Sequence, residues 1–373
     1  MKKKRLNKLF IVATEQSGDN IGYSVLKELK KHYPYLKIDG IGGELMKPLM
    51  RNQFFSLKDF KSIGIVEIIF SIKKYINIIN FLAKLIIKNK YDLILTIDSP
   101  DFNYPLVNKI RKKGFNKKIF HIVAPTVWAW RQYRAKKFAK VYNHMFTIFN
   151  FENSFFEKYK LKSTFVGHPI FYIKKNSNKF KKNLVAFLPG SRLGEIKSLF
   201  IYFELAYEKL LDSNYKYHIF IPTLPHLKKE IINRTKKWKL KTIITTKKNE
   251  IENYYSKTNI ALVCSGTASL EIAKREIPQL IIYKLNYFTE LIASFLIKIK
   301  YANIVNIIEN KMIIPELVNS KLNKRNFKIK FEDLLKNKKS NSKQIIESRK
   351  IIRKLIQKKS PYKKIVDVII KII

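Results

Sequence analysis

Cysteine, glycine and acidic residues are all scarce in this chain of 373 residues. It contains one cysteine, 11 glycines, and 28 aspartates and glutamates against 75 lysines and arginines. A single cysteine excludes a disulfide framework and a cysteine-rich zinc site, so a reducing compartment fits the composition. The apolar run near the N-terminus is only about five residues long, too short for the core of an export signal. No window is long and charge-free enough to cross a bilayer, and the sequence therefore predicts a cytoplasmic protein.

The formal net charge of +47 raises the question of a nucleic-acid ligand. The excess is mostly lysine, spread along the whole chain and mixed with isoleucine, asparagine, tyrosine and phenylalanine, a mixture that a genome-wide nucleotide bias produces. The sequence has no zinc-finger spacing, no basic helix with heptads and no aromatic RNA-binding motif. We therefore predict no nucleic-acid partner. The diffuse basic charge favours an anionic membrane surface instead, at about 1 kcal/mol per well-placed lysine.

Short apolar runs alternate with helical patterns along the chain, which predicts parallel, doubly wound α/β sheets. The length favours two domains. The alternation stops after Val166 and resumes at Leu184, with a lysine- and asparagine-rich stretch between. We therefore predict an N-terminal α/β domain at 1–170, a linker at 171–183, a second α/β domain at 184–345, and C-terminal helices at 346–373 that pack back on the first domain.

Polar loops follow two predicted strands of the first half. Residues 14–19 (TEQSGD) follow the first strand, and residues 98–103 (DSPDFN) follow a later, fully apolar one. Open α/β sheets bind ligands at the carboxyl ends of their strands, and Asp98 and Asp101 are spaced for acid–base chemistry or for a cation. The same residue types also suit a turn without a catalytic role.

A third loop of the first half contains two tryptophans. Trp128 and Trp130 flank an alanine and precede Arg131, after another predicted strand. Indole rings beside a guanidinium are suited to stacking on a sugar, and tryptophan is equally a common packing anchor.

No cofactor is predicted. Gly40, Gly42 and Gly43 follow a strand, but Leu45 stands where the G-x-G-x-x-G dinucleotide pattern has its last glycine. The sequence shows no cluster of metal ligands. We therefore expect neither NAD nor a metal ion.

Two turns in the second half have the form of anion sites. One of them, PGSR, ends in Arg192, whose guanidinium suits a phosphate. The other is a run of small residues, 264–269, between a strand and a helix that contains Glu271. A helix N-terminus offers unpaired N–H groups and a favourable dipole to an anion, and Glu271 is placed to meet a ribose hydroxyl. An ordinary helix capped by Ser265 or Thr267 explains the second turn equally well.

Two segments are more apolar than one core contact requires. Apolar residues recur at helical spacing through 63–88 and dominate 285–301, with lysines at intervals. A helix buried on two sides explains this pattern, and so does an interfacial amphipathic helix that contacts lipid.

Seven motifs together resemble one enzyme family, the lipid-A-disaccharide synthases. They are EQSGD (15–19), SIGIVEI (62–68), IDSPDFN (97–103), VWAWR (127–131), VGHP (166–169), LPGSRLGEI (188–196) and SGTASLE (265–271). The resemblance implies a GT-B fold, in which two Rossmann-like α/β domains face a cleft. It implies inverting transfer from UDP-2,3-diacylglucosamine to 2,3-diacylglucosamine 1-phosphate (lipid X), giving lipid A disaccharide 1-phosphate and UDP. It also implies peripheral association with the cytoplasmic face of the inner membrane.

The resemblance assigns roles to individual residues. It implies Asp98 as the catalytic base, with Glu15 as the second choice. The residues implied to contact the UDP-sugar are Arg192, Ser265, Gly266, Thr267, Glu271 and Asn306. Those implied on the acceptor side are Ser17, Gly18, Asp19, Asp101, Trp128, Trp130 and Arg131. The positions that depart from the family pattern are Thr14, Asn303, Val305 and Lys311.

Two alternative functions remain open from the sequence. A UDP-N-acetylglucosamine 2-epimerase uses the same two-domain architecture and would turn over UDP-N-acetylglucosamine without any lipid. A basic binding protein without catalytic activity would associate with nucleic acid in a salt-dependent way and would not bind UDP.

Overall fold

The computed structural model describes residues 6–60, 67–129, 131–172, 183–264, 266–284 and 300–373. The chain divides into two compact units. Unit 1 is Met1–Pro169 together with Gln357–Ile373, and unit 2 is Ile170–Ile356. Most of the predicted linker, together with residues 63–66 and 285–299 of the two apolar segments, lies outside the described residues.

Unit 1 is built on a parallel sheet. Its described strands are β1 (Lys8–Ala13), β2 (Lys37–Gly42), β3 (Asn52–Ser56), β4 (Leu93–Ile97), β5 (Lys118–Ile122), β6 (His144–Thr147) and β7 (Ser163–Phe165). The order across the sheet is β3-β2-β1-β4-β5-β6-β7, and every pair is parallel. The described helices between them are α1 (Gln16–His32), α2 (Glu67–Asn89), α3 (Pro100–Lys112), α4 (Tyr133–Ala139) and α5 (Asn153–Glu157).

Both faces of this sheet are covered, which is why its central strands are continuous apolar runs. Along β1, Phe10 and Val12 pack into a core with residues of α2 and α3. Leu9 and Ile11 point to the other face and pack with residues of α1. Each fully buried side chain of this size stabilises the unit by about 1.5–3 kcal/mol.

Unit 2 repeats the same plan. Its described strands are β8 (Leu184–Leu188), β9 (His218–Pro222), β10 (Thr242–Thr245), β11 (Ile260–Cys264), β12 (Gln279–Tyr283) and β13 (Glu316–Val318). They form a parallel sheet in the order β10-β9-β8-β11-β12-β13. The described helices are α6 (Leu193–Leu211), α7 (Lys228–Thr235), α8 (Lys248–Tyr255), α9 (Thr267–Lys274), α10 (Ile304–Glu309), α11 (Lys324–Lys336) and α12 (Lys338–Leu355).

The last helix, α13 (Pro361–Ile372), belongs to unit 1. It begins with Ser360, whose side chain accepts a hydrogen bond from a backbone N–H of the first turn, followed by proline at the first helical position. Its buried residues Ile365, Val366 and Ile369 pack in the same core as α1. Helix α12, by contrast, lies in unit 2, so only 357–373 of the predicted C-terminal region joins unit 1.

The predicted fold class is confirmed, because both sheets are parallel, alternate with helices and follow a doubly wound strand order. In each sheet the winding direction reverses, between β1 and β4 in unit 1 and between β8 and β11 in unit 2. Such switch points are where open α/β sheets bind ligands, at the carboxyl ends of the strands. The pattern of apolar runs does not reveal the edge strands β3 and β13, and α1 begins at Gln16, inside the polar loop predicted at 14–19.

Candidate active site

The switch point of unit 1 brings two of the predicted site carboxylates together. Glu15 follows β1 at the residue before α1, and Asp98 follows the neighbouring strand β4. Ser99 links them, because its hydroxyl donates a hydrogen bond of 3.1 Å to Oε1 of Glu15. Residues 84 positions apart in the sequence therefore form one cluster.

The backbone around this cluster is strained. Asp98 and Ser99 have φ of 51° and 42°, and Val123, at the end of the adjacent β5, has φ of 67°. Left-handed backbone in non-glycine residues costs about 1–3 kcal/mol each and is concentrated at functional sites, and it is least tolerated in a β-branched residue such as valine. The buried side chain of Asn103 holds the turn by donating 2.7 Å and 3.3 Å hydrogen bonds to the carbonyls of Asp98 and Ile97.

The environment of Asp98 makes its carboxylate a stronger base. Burial raises the pKa of Asp98 above its usual value, and the negative charge of Glu15 raises it further, while the Ser99 backbone N–H acts in the opposite direction. The charge of Glu15 also acts on Tyr75 of α2. Burial and that charge both raise the pKa of the Tyr75 hydroxyl. A raised pKa brings a carboxyl group closer to the operating pH, which suits proton abstraction.

Asp19, predicted on the acceptor side, is hydrogen-bonded within unit 1. Its side chain is fully buried. The carboxylate accepts three backbone hydrogen bonds from the loop after β2, those of Gly43 (2.7 Å), Leu45 (3.1 Å) and Met46 (3.2 Å). Asp19 therefore anchors that loop to α1.

The neighbouring predicted residues divide between surface and core. Ser17 is exposed in the first turn of α1, whereas Gly18 is buried. A side chain at Gly18 would bring Cβ to 3.2 Å from Cβ of Ala13, so this glycine allows close packing of α1 on β1. Asp101 is exposed and forms an ion pair of 2.5 Å with Arg134 of α4.

Trp128 is held as a packing anchor. Its Nε1 donates a 3.1 Å hydrogen bond to Oε1 of Glu152, and its ring lies edge-on to that of Phe151, with centroids 5.5 Å apart. Trp130 lies outside the described residues. Arg131 has a left-handed backbone, with φ of 53°.

Glu152 was not predicted from the sequence. It is 1% exposed, and its Oε2 accepts hydrogen bonds of 3.0 Å from the backbone N–H groups of Ile148 and Phe149. Burial raises the pKa of Glu152 to about 7, against the effect of the hydrogen bonds from Phe149, Trp128 and Ile148. The available signal was its spacing, because a glutamate three residues after the start of a turn is the pattern of a capping box.

In unit 2 the turn after β8 uses its own carboxylate as a cap. Oε2 of Glu195, in the first turn of α6, accepts hydrogen bonds from the backbone N–H groups of Ser191 (2.9 Å) and Arg192 (3.2 Å). Gly190 has φ of 118°, and a Cβ there would lie 2.6 Å from Oε2 of Glu195, so glycine is required. The predicted backbone donors are thus partly occupied, and the exposed side chain of Arg192 remains for an anion.

The turn after β11 is open at the same edge. Gly266 is exposed, with φ of 128°, and Thr267 is the exposed first residue of α9. The carbonyl of Gly266 accepts hydrogen bonds from the N–H and the hydroxyl of Ser269, at 3.1 Å and 2.7 Å. Ser265 lies outside the described residues.

The two turns of unit 2 lie side by side. Burial and the charge of Glu195 together raise the pKa of the Cys264 thiol to about 12, against the lowering effect of the Arg192 charge. The same two charges act on Tyr283, at the end of β12. The carboxyl ends of β8, β11 and β12 therefore share one electrostatic environment.

Glu271, the predicted ribose contact, lies in α9 with a quarter of its side chain exposed. Its Oε1 accepts a 2.9 Å hydrogen bond from Nη2 of Arg275, which also pairs with Glu252. Neither Arg275 nor Glu252 was singled out from the sequence, and no local motif contains both.

Asn306, predicted to contact the nucleotide, is hydrogen-bonded within unit 2. It is fully buried, and its Oδ1 accepts hydrogen bonds from the N–H groups of Ile313 (2.8 Å) and Ile314 (2.9 Å). Its Nδ2 donates to the carbonyl of Ile314 (2.8 Å) and to Oε2 of Glu316 (3.2 Å). Every hydrogen-bonding position of the amide is used within unit 2.

Asn303, which departs from the family pattern, connects this buried network to the first turn of α9. Its Nδ2 donates a 2.8 Å hydrogen bond to the hydroxyl of Ser269, and its backbone N–H donates to Oε2 of Glu316 at 2.8 Å. The departure therefore retains a hydrogen-bonding side chain at a buried position. Lys311, another departure, forms an ion pair of 3.6 Å with Glu347.

Within the described ranges, no three His, Cys, Asp or Glu side chains are grouped so that they could ligate a metal ion. No described helix combines the length and apolarity that crossing a membrane requires.

Solved structures share the fold at low sequence identity. MurG from Acinetobacter baumannii superposes with a TM-score of 0.59 at 11% identity, covering 99% of this chain and 100% of its own. A glycosyltransferase from Rickettsia africae gives 0.54 at 14% identity, covering 98% of each chain. A UDP-GlcNAc 2-epimerase from Neisseria meningitidis gives 0.60 at 13% identity, covering 94% of this chain and 99% of its own. The two-domain α/β architecture is thus of the GT-B type.

Sequence comparison gives the family. The sequence model of lipid-A-disaccharide synthetase matches residues 9–370. The lipid-A-disaccharide synthase of Rickettsia bellii is 35% identical over 368 residues, covering 96% of both chains. That of Ruegeria pomeroyi is 29% identical over 334 residues, covering 84% of this chain and 82% of its own. The chain belongs to the lipid-A-disaccharide synthetase family.

Proposed function

We propose that the protein transfers the sugar of UDP-2,3-diacylglucosamine to 2,3-diacylglucosamine 1-phosphate, with inversion, giving lipid A disaccharide 1-phosphate and UDP. The observation that carries the proposal is the Glu15–Ser99–Asp98 cluster at the switch point of unit 1, in a chain that belongs to this family. The family's activity requires a base for a sugar hydroxyl, and the cluster supplies one.

Asp98 is the base in this proposal. Inversion requires that the acceptor hydroxyl lose its proton as it attacks the anomeric carbon opposite the departing UDP. Burial and the adjacent Glu15 raise the pKa of Asp98, so its carboxylate has a greater affinity for that proton. Glu15 then acts through its charge, and the Ser99 hydroxyl keeps it in place.

Unit 2 binds the donor in this proposal. The exposed guanidinium of Arg192 meets the diphosphate, with the N-terminus of α9 at the adjacent strand end. These groups stabilise the negative charge that develops on UDP as the glycosidic bond breaks. Glu271 accepts hydrogen bonds from the ribose hydroxyls.

We further propose peripheral binding to the cytoplasmic face of the inner membrane through α2. Its outer side exposes Ile76 and Phe81, 50% and 48% accessible, beside the exposed Lys73, Lys84 and Lys88. Apolar side chains flanked by lysines suit the interface of an anionic bilayer.

The decisive experiment incubates the protein with both lipid substrates and detects the disaccharide and UDP by mass spectrometry. Asp98→Asn is expected to lower kcat by about 10²–10⁴-fold, the usual contribution of a general base. Asp367→Asn makes the same chemical change at an exposed ion pair of α13 and serves as the control. Absence of disaccharide, or turnover of UDP-N-acetylglucosamine alone, would refute the proposed reaction.

Membrane binding has its own test, flotation with vesicles of anionic and of neutral lipid. The protein is expected to float with the anionic vesicles, and Lys73→Glu combined with Ile76→Ser is expected to reduce the bound fraction. Ile329→Ser, at a 57% exposed position of α11, is the matched control. Equal flotation of the α2 variant and the control would exclude α2 as the binding surface.

A further inference from the structure

Three charged side chains of unit 2 form a network around Glu271. Arg275 ends α9, Glu271 lies one helical turn before it, and Glu252 comes from α8. Nη1 and Nη2 of Arg275 donate hydrogen bonds of 2.8 Å and 2.7 Å to the two carboxylate oxygens of Glu252. Nη2 donates a further bond of 2.9 Å to Oε1 of Glu271.

The guanidinium of Arg275 has little freedom to move. Its side chain is 6% exposed, and the two-pronged pair with Glu252 fixes both its position and its plane. The guanidinium carbon also lies 4.5 Å from the centroid of the Tyr255 ring. Arg275 is therefore a rigid donor to Glu271, with a geometry that a lysine could not reproduce.

One carboxylate oxygen of Glu271 is bound by Arg275, and the other is available to a ligand. Oε1 is bound by Arg275, and within the described part of unit 2 no hydrogen bond is donated to Oε2, while a quarter of the side chain is exposed. Two carboxylates share one guanidinium, so the network has a net charge of −1 in a chain of net charge +47. An acceptor-only oxygen with a negative surplus suits hydroxyl donors and disfavours a phosphate.

We propose that Arg275, fixed by Glu252, is a positioning residue that orients the Glu271 carboxylate toward the ribose hydroxyls of the nucleotide. It thereby makes the donor site selective for ribonucleotides over deoxyribonucleotides. This inference rests on the proposed function, in which Glu271 contacts the ribose of the UDP-sugar. Arg275 itself does not touch the ligand.

The test compares the Kd of UDP with that of 2′,3′-dideoxy-UDP by calorimetry, because the second ligand lacks the hydroxyls. The wild-type protein is expected to prefer UDP by about tenfold or more, a free-energy difference of about 1.4 kcal/mol. Arg275→Met is expected to raise the Kd of UDP about tenfold and to leave that of dideoxy-UDP unchanged. In turnover the same variant is expected to raise KM for the donor with kcat retained.

Further variants separate positioning from folding. Glu252→Gln preserves shape but weakens the clamp on Arg275, and it is expected to reduce the preference for UDP in the same direction. Arg349→Met removes another arginine–glutamate pair of unit 2, with Glu276 at 2.7 Å, and is expected to leave the preference intact. Thermal unfolding identifies variants that retain the fold, and if Arg275→Met does not fold, Glu252→Gln decides.

The outcomes distinguish this inference from the proposed function. If Glu271→Gln abolishes the preference while folded Arg275→Met and Glu252→Gln keep it at the wild-type value, the positioning role is wrong and the ribose contact stands. A wild-type preference in Glu271→Gln overturns both the ribose contact and the inference built on it. Failure of the wild-type protein to bind UDP overturns the proposed function as a whole.

Discussion

Asn306 offers a sharp test, because the family resemblance and the structure assign it different roles. Asn306→Asp keeps the size of the side chain and retains Oδ1, which accepts from Ile313 and Ile314. It replaces Nδ2, a donor, by an oxygen that faces the Ile314 carbonyl at 2.8 Å and Oε2 of Glu316 at 3.2 Å. Two attractive contacts become repulsive in a site without solvent access.

The magnitude follows from that geometry. A buried charge without an opposite charge beside it costs about 3–5 kcal/mol. We therefore expect Asn306→Asp to lower the free energy of unfolding by about that amount near neutral pH. Asn310→Asp, at the C-terminal end of the same helix, is the matched control, because Asn310 is exposed and its left-handed backbone, with φ of 47°, also accommodates aspartate. The control is expected to change stability by less than about 0.5 kcal/mol.

The loss of unfolding free energy in Asn306→Asp should also depend on pH. Burial already raises the pKa of Glu316, and a second carboxyl beside it raises the affinity of the pair for a proton. A raised folded-state pKa contributes stability below the unfolded-state pKa and loses it as pH rises through the folded-state pKa. The deficit of Asn306→Asp is therefore expected to be smaller near about pH 5 than near about pH 7.5.

Urea denaturation at the two pH values measures the loss of unfolding free energy. Hydrogen exchange of the peptide containing residues 306–314 shows where the structure is destabilised. Calorimetry gives the Kd of UDP. Wild-type stability at neutral pH combined with weakened UDP binding would refute the structural role. That result would support the nucleotide contact that the family resemblance implies for Asn306.

Three further predictions concern groups with unusual environments. Glu15→Gln removes the charge that helps to raise the pKa of Asp98, so the acidic limb of the pH profile of kcat/KM is expected to move to lower pH; an unchanged limb would contradict the coupling. Gly190→Ala places Cβ 2.6 Å from Oε2 of Glu195, and urea denaturation is expected to show a loss of at least about 1 kcal/mol from backbone strain. Burial raises the pKa of Glu152 from 4.5 to about 7, so wild-type stability loses a contribution as pH rises across that interval. Glu152→Gln is expected to flatten this part of the stability profile, and an equal slope in both proteins would exclude the effect.

The fold was largely predictable because its buried strands have the sequences of short apolar runs between polar loops. β4 and β11, for example, are buried along their whole length and appear as LILTI and IALVC. The two missed strands, β3 and β13, lie at the edges of their sheets. β3 begins with two polar residues and β13 has three residues, so neither has the length or composition from which a strand is recognised.

The loops of the candidate site could be located from the sequence, but the hydrogen-bond partners of their side chains could not. Strand ends identified the loops of Glu15, Asp98 and Arg192 because ligand sites of α/β sheets follow topology. Which side chain pairs with which is decided by packing between distant segments, as in the contact of Asp19 with the loop 43–46. The nucleotide role of Asn306 was implied by the family resemblance, and nothing near Asn306 in the sequence shows that its amide is hydrogen-bonded within unit 2.

In the proposed function the same doubly wound topology serves two different chemistries, and the difference lies in the surroundings of the carboxylates at each switch point. In unit 1, burial and the charge of Glu15 raise the pKa of Asp98, which lies on a left-handed backbone. In unit 2, Glu195 caps the turn before α6 and Glu271 is bound by Arg275, so both carboxylates already accept hydrogen bonds. A net charge of +47 therefore does not describe either site. The proposed proton abstraction and hydroxyl binding both require hydrogen-bond acceptors, which acidic side chains supply and lysine cannot.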